Sequence, residues 1–202
     1  MLVFAITGGL SLLGLYRAPL IIEACLFRPY YFLRRRQYAT IVTSGFVHAD
    51  LGHLLFNMIT FWFFAFPMER LFGTAYFLIL YLFGLIASHS CTWFKHRSHP
   101  DYASLGASGA ISAVLFAYIV YFPLHTLIIF PIPLPIPAAL FAVGYVAWSW
   151  WSSRQERGRI NHEAHLCGAL SGLVYVLLVD PAAFGGLVQS FGDGFGDSGT
   201  VN

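Results

Sequence analysis

A long stretch without charged side chains is the feature that most limits how this chain can fold. Residues 102–153 contain no Asp, Glu, Lys or Arg. Soluble proteins carry a charged residue at roughly one position in four, whereas the charged share here is 10% and the hydrophobic share is 58%. A chain of 202 residues has too small a core to hide that much apolar surface from water. The sequence therefore predicts an integral, multi-pass membrane protein.

Apolar runs bounded by charges or prolines predict six membrane-spanning helices, since a span needs about 20 mostly apolar residues. Proline lacks a backbone donor and favours extended backbone before it, so the prolines from Pro123 to Pro137 divide the uncharged stretch into two spans. We expect an all-α membrane protein, a compact bundle of six transmembrane helices over residues 1–180, with a Gly-rich, disordered tail over residues 181–202. The predicted spans are 2–27, 51–68, 71–94, 105–122, 138–152 and 163–179.

Net charge and cysteine content exclude other classes of protein. A net charge of +2 provides no basic footprint for nucleic acid, so we expect no nucleic-acid partner. The three cysteines, Cys25, Cys91 and Cys167, form no CxxC pair and lie in or beside apolar runs. We interpret them as small apolar packing residues rather than as a disulfide or a zinc site. Nothing in the sequence indicates a metal or an organic cofactor.

Polar side chains inside predicted spans usually mark functional sites, because a membrane offers them no water. In the second span, His53 and Asn57 are four residues apart and therefore share one helix face. Both side chains can donate hydrogen bonds in the same direction. Alone, this pair is also typical of a polar contact between helices.

The fourth span opens with a serine between glycines, in the run Gly106-Ala107-Ser108-Gly109. Such a serine commonly serves helix packing, or its hydroxyl bonds a carbonyl one turn back. A reactive serine needs a nearby base and backbone N–H groups that are free to bind an oxyanion. A helix N-terminus supplies such N–H groups.

One face of the last span carries His165, Gly168 and Gly172. Small residues let another helix approach closely, so we expect His165 to lie at a tight helix contact. Together with Ser108 and the two donors of the second span, His165 completes the parts that Ser–His chemistry needs. Glu163 lies on a different helix face, so the sequence favours a dyad rather than a triad.

At these residues the sequence resembles the rhomboid family of intramembrane serine proteases. The resemblance implies that Ser108 is the nucleophile and that His165 is the general base and then the acid. It also implies an oxyanion hole formed by the backbone N–H of Ser108 with the side chains of His53 and Asn57, while Gly106 allows close backbone approach. The matching motifs are His53-x-x-x-Asn57, Glu69-Arg70-Leu71-Phe72-Gly73, Gly106-Ala107-Ser108-Gly109 and Ala164-His165-x-x-Gly168-x-x-x-Gly172.

The resemblance further implies substrates and a location. The expected partners are transmembrane segments of substrate membrane proteins and the lipid bilayer, in the inner (plasma) membrane of a bacterium. Hydrolysis needs water, so the site must lie in a cavity that opens to one membrane face. We give His48, in the first loop, a structural role, and we expect His89, in the third span, to make a polar contact within the bundle.

Two other functions are alternatives. A catalytically inactive rhomboid-like protein that binds transmembrane clients would usually lack the serine or the histidine, and this chain has both. A small transporter with His53, His89 and His165 as a proton path would be expected to show an inverted repeat, and none is visible in the sequence. A hydrogen-bonded contact between Ser108 and His165 distinguishes a protease from a transporter.

Loop charges and the resemblance give opposite orientations in the membrane. With six spans, the first, third and fifth loops lie on one side, and the positive-inside rule makes that side cytoplasmic. The resemblance implies that the active site opens on this same side, away from the cytoplasm. We favour the family's topology, with the arginine-rich first loop on lipid headgroups. The basic residues of these loops are Arg28, Arg34, Arg35, Arg36, Lys95, Arg97, Arg154, Arg157 and Arg159.

Overall fold

The computed structural model describes residues 1–129, 132–155 and 161–196, and this part of the chain forms ten α-helices and one β-hairpin. Arg157 and Arg159 lie outside the described residues. The helices are α1 (Leu2–Tyr16), α2 (Pro19–Cys25), α3 (Pro29–Arg34), α4 (Thr40–Thr43), α5 (Leu51–Phe72), α6 (Thr74–His96), α7 (Ser108–Tyr121), α8 (Ala138–Ser153), α9 (His162–Val179) and α10 (Ala182–Gly196), with a 3₁₀ turn at Ser44–Phe46 between α4 and α5.

Apart from the hairpin the described chain is helical, in agreement with the predicted helical membrane protein, and it contains three helices long and apolar enough to span a membrane, α5, α6 and α9. A fourth candidate is the pair α1 and α2, which are bent by 120° relative to each other. The single helix predicted over residues 2–27 is therefore wrong. Pro19 begins α2, and a proline disfavours helical backbone in the residue before it, so the helix breaks there.

Helix α7 lies at the centre of the bundle, and nearly all of its residues are buried. It packs against α5, α6, α8 and α9. Its 14 residues make a helix about 21 Å long, shorter than a hydrocarbon core of about 30 Å. Because protein surrounds α7, its N-terminus at Ser108 can begin below the membrane surface.

Glycines allow α9 to pack directly against the backbone of α7. A Cβ at Gly168 would lie 2.1 Å from the carbonyl oxygen of Gly109, and one at Gly172 would lie 2.1 Å from that of Ala113. No side chain fits into such a space. The prediction that the glycine face of the last span makes a tight helix contact is confirmed.

A disulfide joins Cys91 on α6 to Cys167 on α9, with the Cα atoms 6.5 Å apart, while Cys25 is free. The interpretation of all three cysteines as apolar packing residues is therefore wrong for this pair. The two cysteines are 76 residues apart, and no spacing motif in the sequence indicates that they pair. They meet only because α6 and α9 pack side by side.

The proline-rich segment between α7 and α8 forms an antiparallel hairpin of β1 (Thr126–Ile129) and β2 (Ile132–Pro137). The backbone N–H of Ala138 donates to the carbonyl of His125. Counting back from Ala138, every second residue of β2 directs its backbone N–H towards β1. The prolines occupy the positions in between, where the backbone nitrogen points to the open edge of the hairpin and no donor is needed.

The chain after Pro181 differs from the sequence-based expectation. The sequence predicts a disordered tail, whereas the structure has helix α10 (Ala182–Gly196). Residues 197–202 lie outside the described residues. The boundary of the rhomboid-like domain at residue 180 stays a prediction.

Candidate active site

Three helices begin at the same end of the bundle and carry the predicted site residues. Helices α5, α7 and α9 are alternate long helices of one bundle, so they run in the same direction. His53 lies in the first turn of α5, Ser108 is the first residue of α7, and His165 lies in the first turn of α9. Side-chain caps fix two of these helix starts: Asp50 accepts from the backbone N–H of His53, and Asn161 accepts from that of Ala164.

Ser108 and His165 are hydrogen-bonded to each other. The distance from Ser108 Oγ to His165 Nε2 is 2.7 Å, within the range that proton transfer between a nucleophile and a base requires. With the ring proton on Nδ1, Nε2 accepts the hydroxyl proton. The geometry therefore suits a serine that is deprotonated as it attacks.

The nearest acidic side chain in sequence, Glu163, is engaged elsewhere. One carboxylate oxygen lies 3.2 Å from Lys95 Nζ, and the other lies 2.5 Å from His96 Nε2. No hydrogen bond joins Glu163 to His165 within the described ranges. Among the described residues, the contact between Ser108 and His165 is therefore not extended by a hydrogen bond to Glu163.

The loop that leads into Ser108 is held by the N-terminal third of the chain. Ser104 exchanges two backbone hydrogen bonds with Phe27, at 2.9 and 3.0 Å, and the backbone N–H of Gly106 donates to the carbonyl of Ser44 at 2.9 Å. These supports were not evident from the sequence. Every residue has a carbonyl group, so a backbone acceptor such as Ser44 leaves no signature in the side chains.

His48 supplies a further support for the same loop, as expected of a structural residue. Its Nε2 lies 3.4 Å from the backbone nitrogen of Ala107, and its Nδ1 lies 2.9 Å from Ser11 Oγ. Burial lowers the pKa of His48 to about 3, the neighbouring His53 acts in the same direction, and Asp50 opposes it. A neutral ring has one acceptor and one donor nitrogen, which matches these two partners.

Gly106 lies where no side chain fits. Its φ of +111° is one that residues with a side chain rarely adopt, and a Cβ there would lie 2.7 Å from the ring of His53. Asn57, one turn further along α5, donates to the carbonyl of His53 at 2.9 Å. A carboxamide has two N–H donors, so this bond occupies one of them.

His89 makes a polar contact within the bundle, as predicted. Its Nε2 lies 3.2 Å from Ser44 Oγ, and its Nδ1 lies 3.1 Å from the carbonyl oxygen of Leu85. Within the part of the chain that the structure describes, no cluster of three His, Cys, Asp or Glu residues that could hold a metal ion is found.

The helical membrane fold and the hydrogen bond between Ser108 and His165 place the chain among multi-pass membrane proteins with a serine and a histidine in contact inside the bundle. Comparison with known families makes the class specific, since the Rhomboid domain matches residues 35–181. The chain belongs to the rhomboid family.

Several curated proteins are similar to the chain. It is 30% identical over 182 residues to "Rhomboid protein 1, mitochondrial" of Saccharomyces cerevisiae, covering 86% of this chain and 52% of that protein. It is 31% identical over 146 residues to "RHOMBOID-like protein 12, mitochondrial" of Arabidopsis thaliana, covering 64% of this chain and 43% of that protein. A "Putative rhomboid protease YdcA" of Bacillus subtilis is 35% identical over 79 residues, 39% of each chain. The chain spans about half of the yeast relative and less of the other two.

Proposed function

We propose that this chain is a serine-type intramembrane endopeptidase that cleaves transmembrane segments of membrane proteins. The observation that carries the proposal is the 2.7 Å contact between Ser108 Oγ and His165 Nε2. A hydroxyl and an imidazole in this relation have the geometry of a nucleophile with its general base. Membership of the rhomboid family supports the same assignment.

The proposed reaction has two halves. Ser108 Oγ attacks the carbonyl carbon of a peptide bond while its proton passes to His165 Nε2. The tetrahedral intermediate collapses as His165 returns that proton to the leaving amine, which leaves an acyl group on Ser108. Water, deprotonated by His165, then attacks this ester and releases the new carboxyl end of the substrate together with the free hydroxyl.

An oxyanion hole is the third part of the proposal. Its donors are the backbone N–H of Ser108 and the side chains of His53 and Asn57. Ser108 is the first residue of α7, so its N–H has no acceptor within the helix. The tight approach of His53 to Gly106 supports a place for the imidazole beside the same loop. Removing one donor is expected to cost about 10²–10³ in rate.

The proposed substrates are transmembrane segments that unwind near one membrane face. A peptide bond in an intact helix is hydrogen-bonded and shielded, so small or helix-breaking residues should favour cleavage. The shortness of α7 supports a site that lies below the surface and opens to water at one end.

We also propose the inner (plasma) membrane of a bacterium as its location; one of the similar proteins comes from a bacterium, Bacillus subtilis. Most of the similar proteins carry mitochondrial names, so fractionation of the source cells is the test.

Cleavage by purified protein in liposomes tests the activity. The wild type should cut a labelled transmembrane substrate, and Ser108→Ala and His165→Ala should each abolish cleavage. Ser171→Ala is a matched control, because Ser171 is buried on α9 and its hydroxyl donates to the carbonyl of Gly168. Cleavage that survives Ser108→Ala would refute the proposed nucleophile. A wild type that binds the substrate without cutting it would instead support an inactive, client-binding protein.

A further inference from the structure

His89 contacts two residues that hold the loop of the nucleophile. It is 3% exposed, and the proposed reaction gives it no part. Its Nε2 lies 3.2 Å from the hydroxyl of Ser44, and its ring packs edge-on against Phe27 with centroids 4.8 Å apart. The backbone of Ser44 holds Gly106, and the backbone of Phe27 holds Ser104.

We propose that His89 is a positioning residue for the nucleophile, an inference that rests on the proposed protease function. By fixing Ser44 and Phe27, it fixes the loop of residues 104–107, and thereby the direction in which Ser108 leaves that loop and enters α7. His89 touches neither Ser108 nor His165 in any contact found among the described residues. It acts on the loop through Ser44 and Phe27.

The two ring nitrogens of His89 have different partners, one on its own helix and one in the turn that contains Ser44. Nδ1 lies 3.1 Å from the carbonyl oxygen of Leu85 on its own helix, and a carbonyl only accepts, so the tautomer with its proton on Nδ1 donates there. In that neutral tautomer Nε2 is an acceptor for the hydroxyl of Ser44. The backbone of Ile41 is a further hydrogen-bond partner of the ring. One ring nitrogen anchors the side chain to α6, and the other holds the turn that contains Ser44.

A small displacement of this loop has a large chemical consequence. Gly106 has a φ of +111° and lies against the ring of His53, so the loop has little freedom to adjust. Misplacing a reacting group by about 1 Å can cost about 100-fold in rate. Loss of the support at Ser44 should therefore reduce turnover more than it weakens substrate binding.

Two substitutions of similar polarity separate the positioning role from general packing. In His89→Gln the side-chain amide reaches the position of Nε2 and can accept from Ser44, whereas in His89→Asn it reaches only the position of Nδ1. We expect His89→Asn to lower kcat about tenfold or more with KM within about twofold, and His89→Gln to retain most of the kcat. Ser90→Ala on the same helix, whose hydroxyl donates to Ile86, is the control.

A double variant tests whether His89 acts through Ser44. Ser44→Ala should lower kcat to a similar extent as His89→Asn, and the two together should be no worse than the more severe single variant. Effects that multiply would overturn the inference, as would an unchanged kcat in His89→Asn. Equal losses of kcat in His89→Gln and His89→Asn would also overturn it, since packing alone would then explain them.

Hydrogen exchange at the backbone N–H of Gly106 gives a readout that does not depend on cleavage. His89→Asn should speed this exchange, and His89→Gln should leave it near the wild-type rate. A wild type that cleaves, with exchange and kcat unaffected by His89→Asn, would refute the inference alone. A wild type that neither cleaves nor reacts at Ser108 would refute the proposed function, while exchange would still report whether His89 holds the loop.

Discussion

Single residues in and around the loop of residues 104–107, which precedes Ser108, control the geometry of the candidate site. Gly106 combines a positive φ with the close approach of His53. Gly73, at the end of α5, also has a positive φ, of +77°, but a Cβ there would meet no atom within 4 Å. Substitutions at these two glycines therefore distinguish the effect of backbone strain, which both would have, from the effect of steric crowding, which only Gly106 would have.

Gly106→Ala should reduce activity about 100-fold, because the new methyl group would push the ring of His53 or the loop away from its position. Gly73→Ala carries a similar backbone strain of about 1–3 kcal/mol and should leave kcat nearly unchanged. The measurement is kcat in liposomes alongside the melting temperature of each variant. Equal activity in the two variants would show that the space at Gly106 does not matter for the reaction.

The burial of His48 predicts a pH dependence of stability. Its pKa is about 3 in the folded chain against 6.5 for an unperturbed histidine, so the folded state favours the neutral ring. The stabilisation is fully present above about pH 6.5 and is lost as pH falls from there towards 3. His48→Gln, which cannot take up the proton, should show a shallower fall in the free energy of unfolding over this range. Parallel pH profiles for the two proteins would contradict this account.

At the residue scale, the sequence was informative about side chains with unusual chemistry in an apolar setting. A serine between glycines and a histidine on a glycine face stand out in a membrane helix, and the structure brings Ser108 and His165 into contact. The supports at Phe27 and Ser44 are backbone groups and have no such signature. His89 stood out as a polar residue in a span, but its contact with Ser44 could not be predicted, because the two residues lie 45 positions apart in the sequence.

Among whole elements, the packing of α9 on α7 determines where His165 lies relative to Ser108. Gly168 follows His165 by three residues and contacts the backbone of Gly109, directly after Ser108. The contact between Gly168 and Gly109 is therefore adjacent to the hydrogen bond between His165 and Ser108. Any side chain at residue 168 would separate the two helices at the point where the hydrogen bond forms.

Gly168→Ala should therefore reduce both stability and activity. Overpacking of this kind costs about 1–3 kcal/mol, and separation of the helices should lower kcat about tenfold or more. Gly144→Ala on α8 is the control, since a Cβ there would meet nothing within 4 Å. Thermal unfolding and cleavage should show losses for residue 168 only. A fully active Gly168→Ala protein would mean that the helix contact does not set the site.

Helix ends were harder to predict than helix existence. Hydropathy indicates where a helix lies, but local backbone chemistry decides where it stops. Pro19 breaks the first predicted span, whereas α5 continues through Pro67 to Phe72 and ends before Gly73. Neighbouring helices can satisfy the groups that a proline frees inside a membrane protein, so proline alone does not end a span.

Contacts between distant parts of the chain hold the whole molecule together around the site. The disulfide Cys91–Cys167 joins α6 to α9 across 76 residues, beside the ion pair of Glu163 with Lys95 and the hydrogen bond between Glu163 and His96. The N-terminal loops hold the loop before α7. These long-range contacts are the part of the structure that the sequence predicted least well, because nothing local encodes them.

Removing the disulfide should destabilise the chain without changing its chemistry. A cross-link across a loop of this length contributes at most about 4.5 kcal/mol, and less where the unfolded chain keeps its helices in the membrane. A double substitution, Cys91→Ser with Cys167→Ser, should lower the melting temperature, and Cys25→Ser should not. The expectation fails if Cys91 and Cys167 both react with a maleimide in the folded wild type, since the bridge would then be absent.

Covalent labelling of Ser108 is the most direct test of the proposed nucleophile and its base. A fluorophosphonate reacts with a serine only when a base activates it, and peptide mapping by mass spectrometry identifies the residue that carries the adduct. We expect one adduct, on Ser108, that is lost in His165→Ala and retained in Ser171→Ala. An adduct on another serine, or labelling of Ser108 that persists at the full rate without His165, would contradict the assignment of Ser108 and His165 as nucleophile and base.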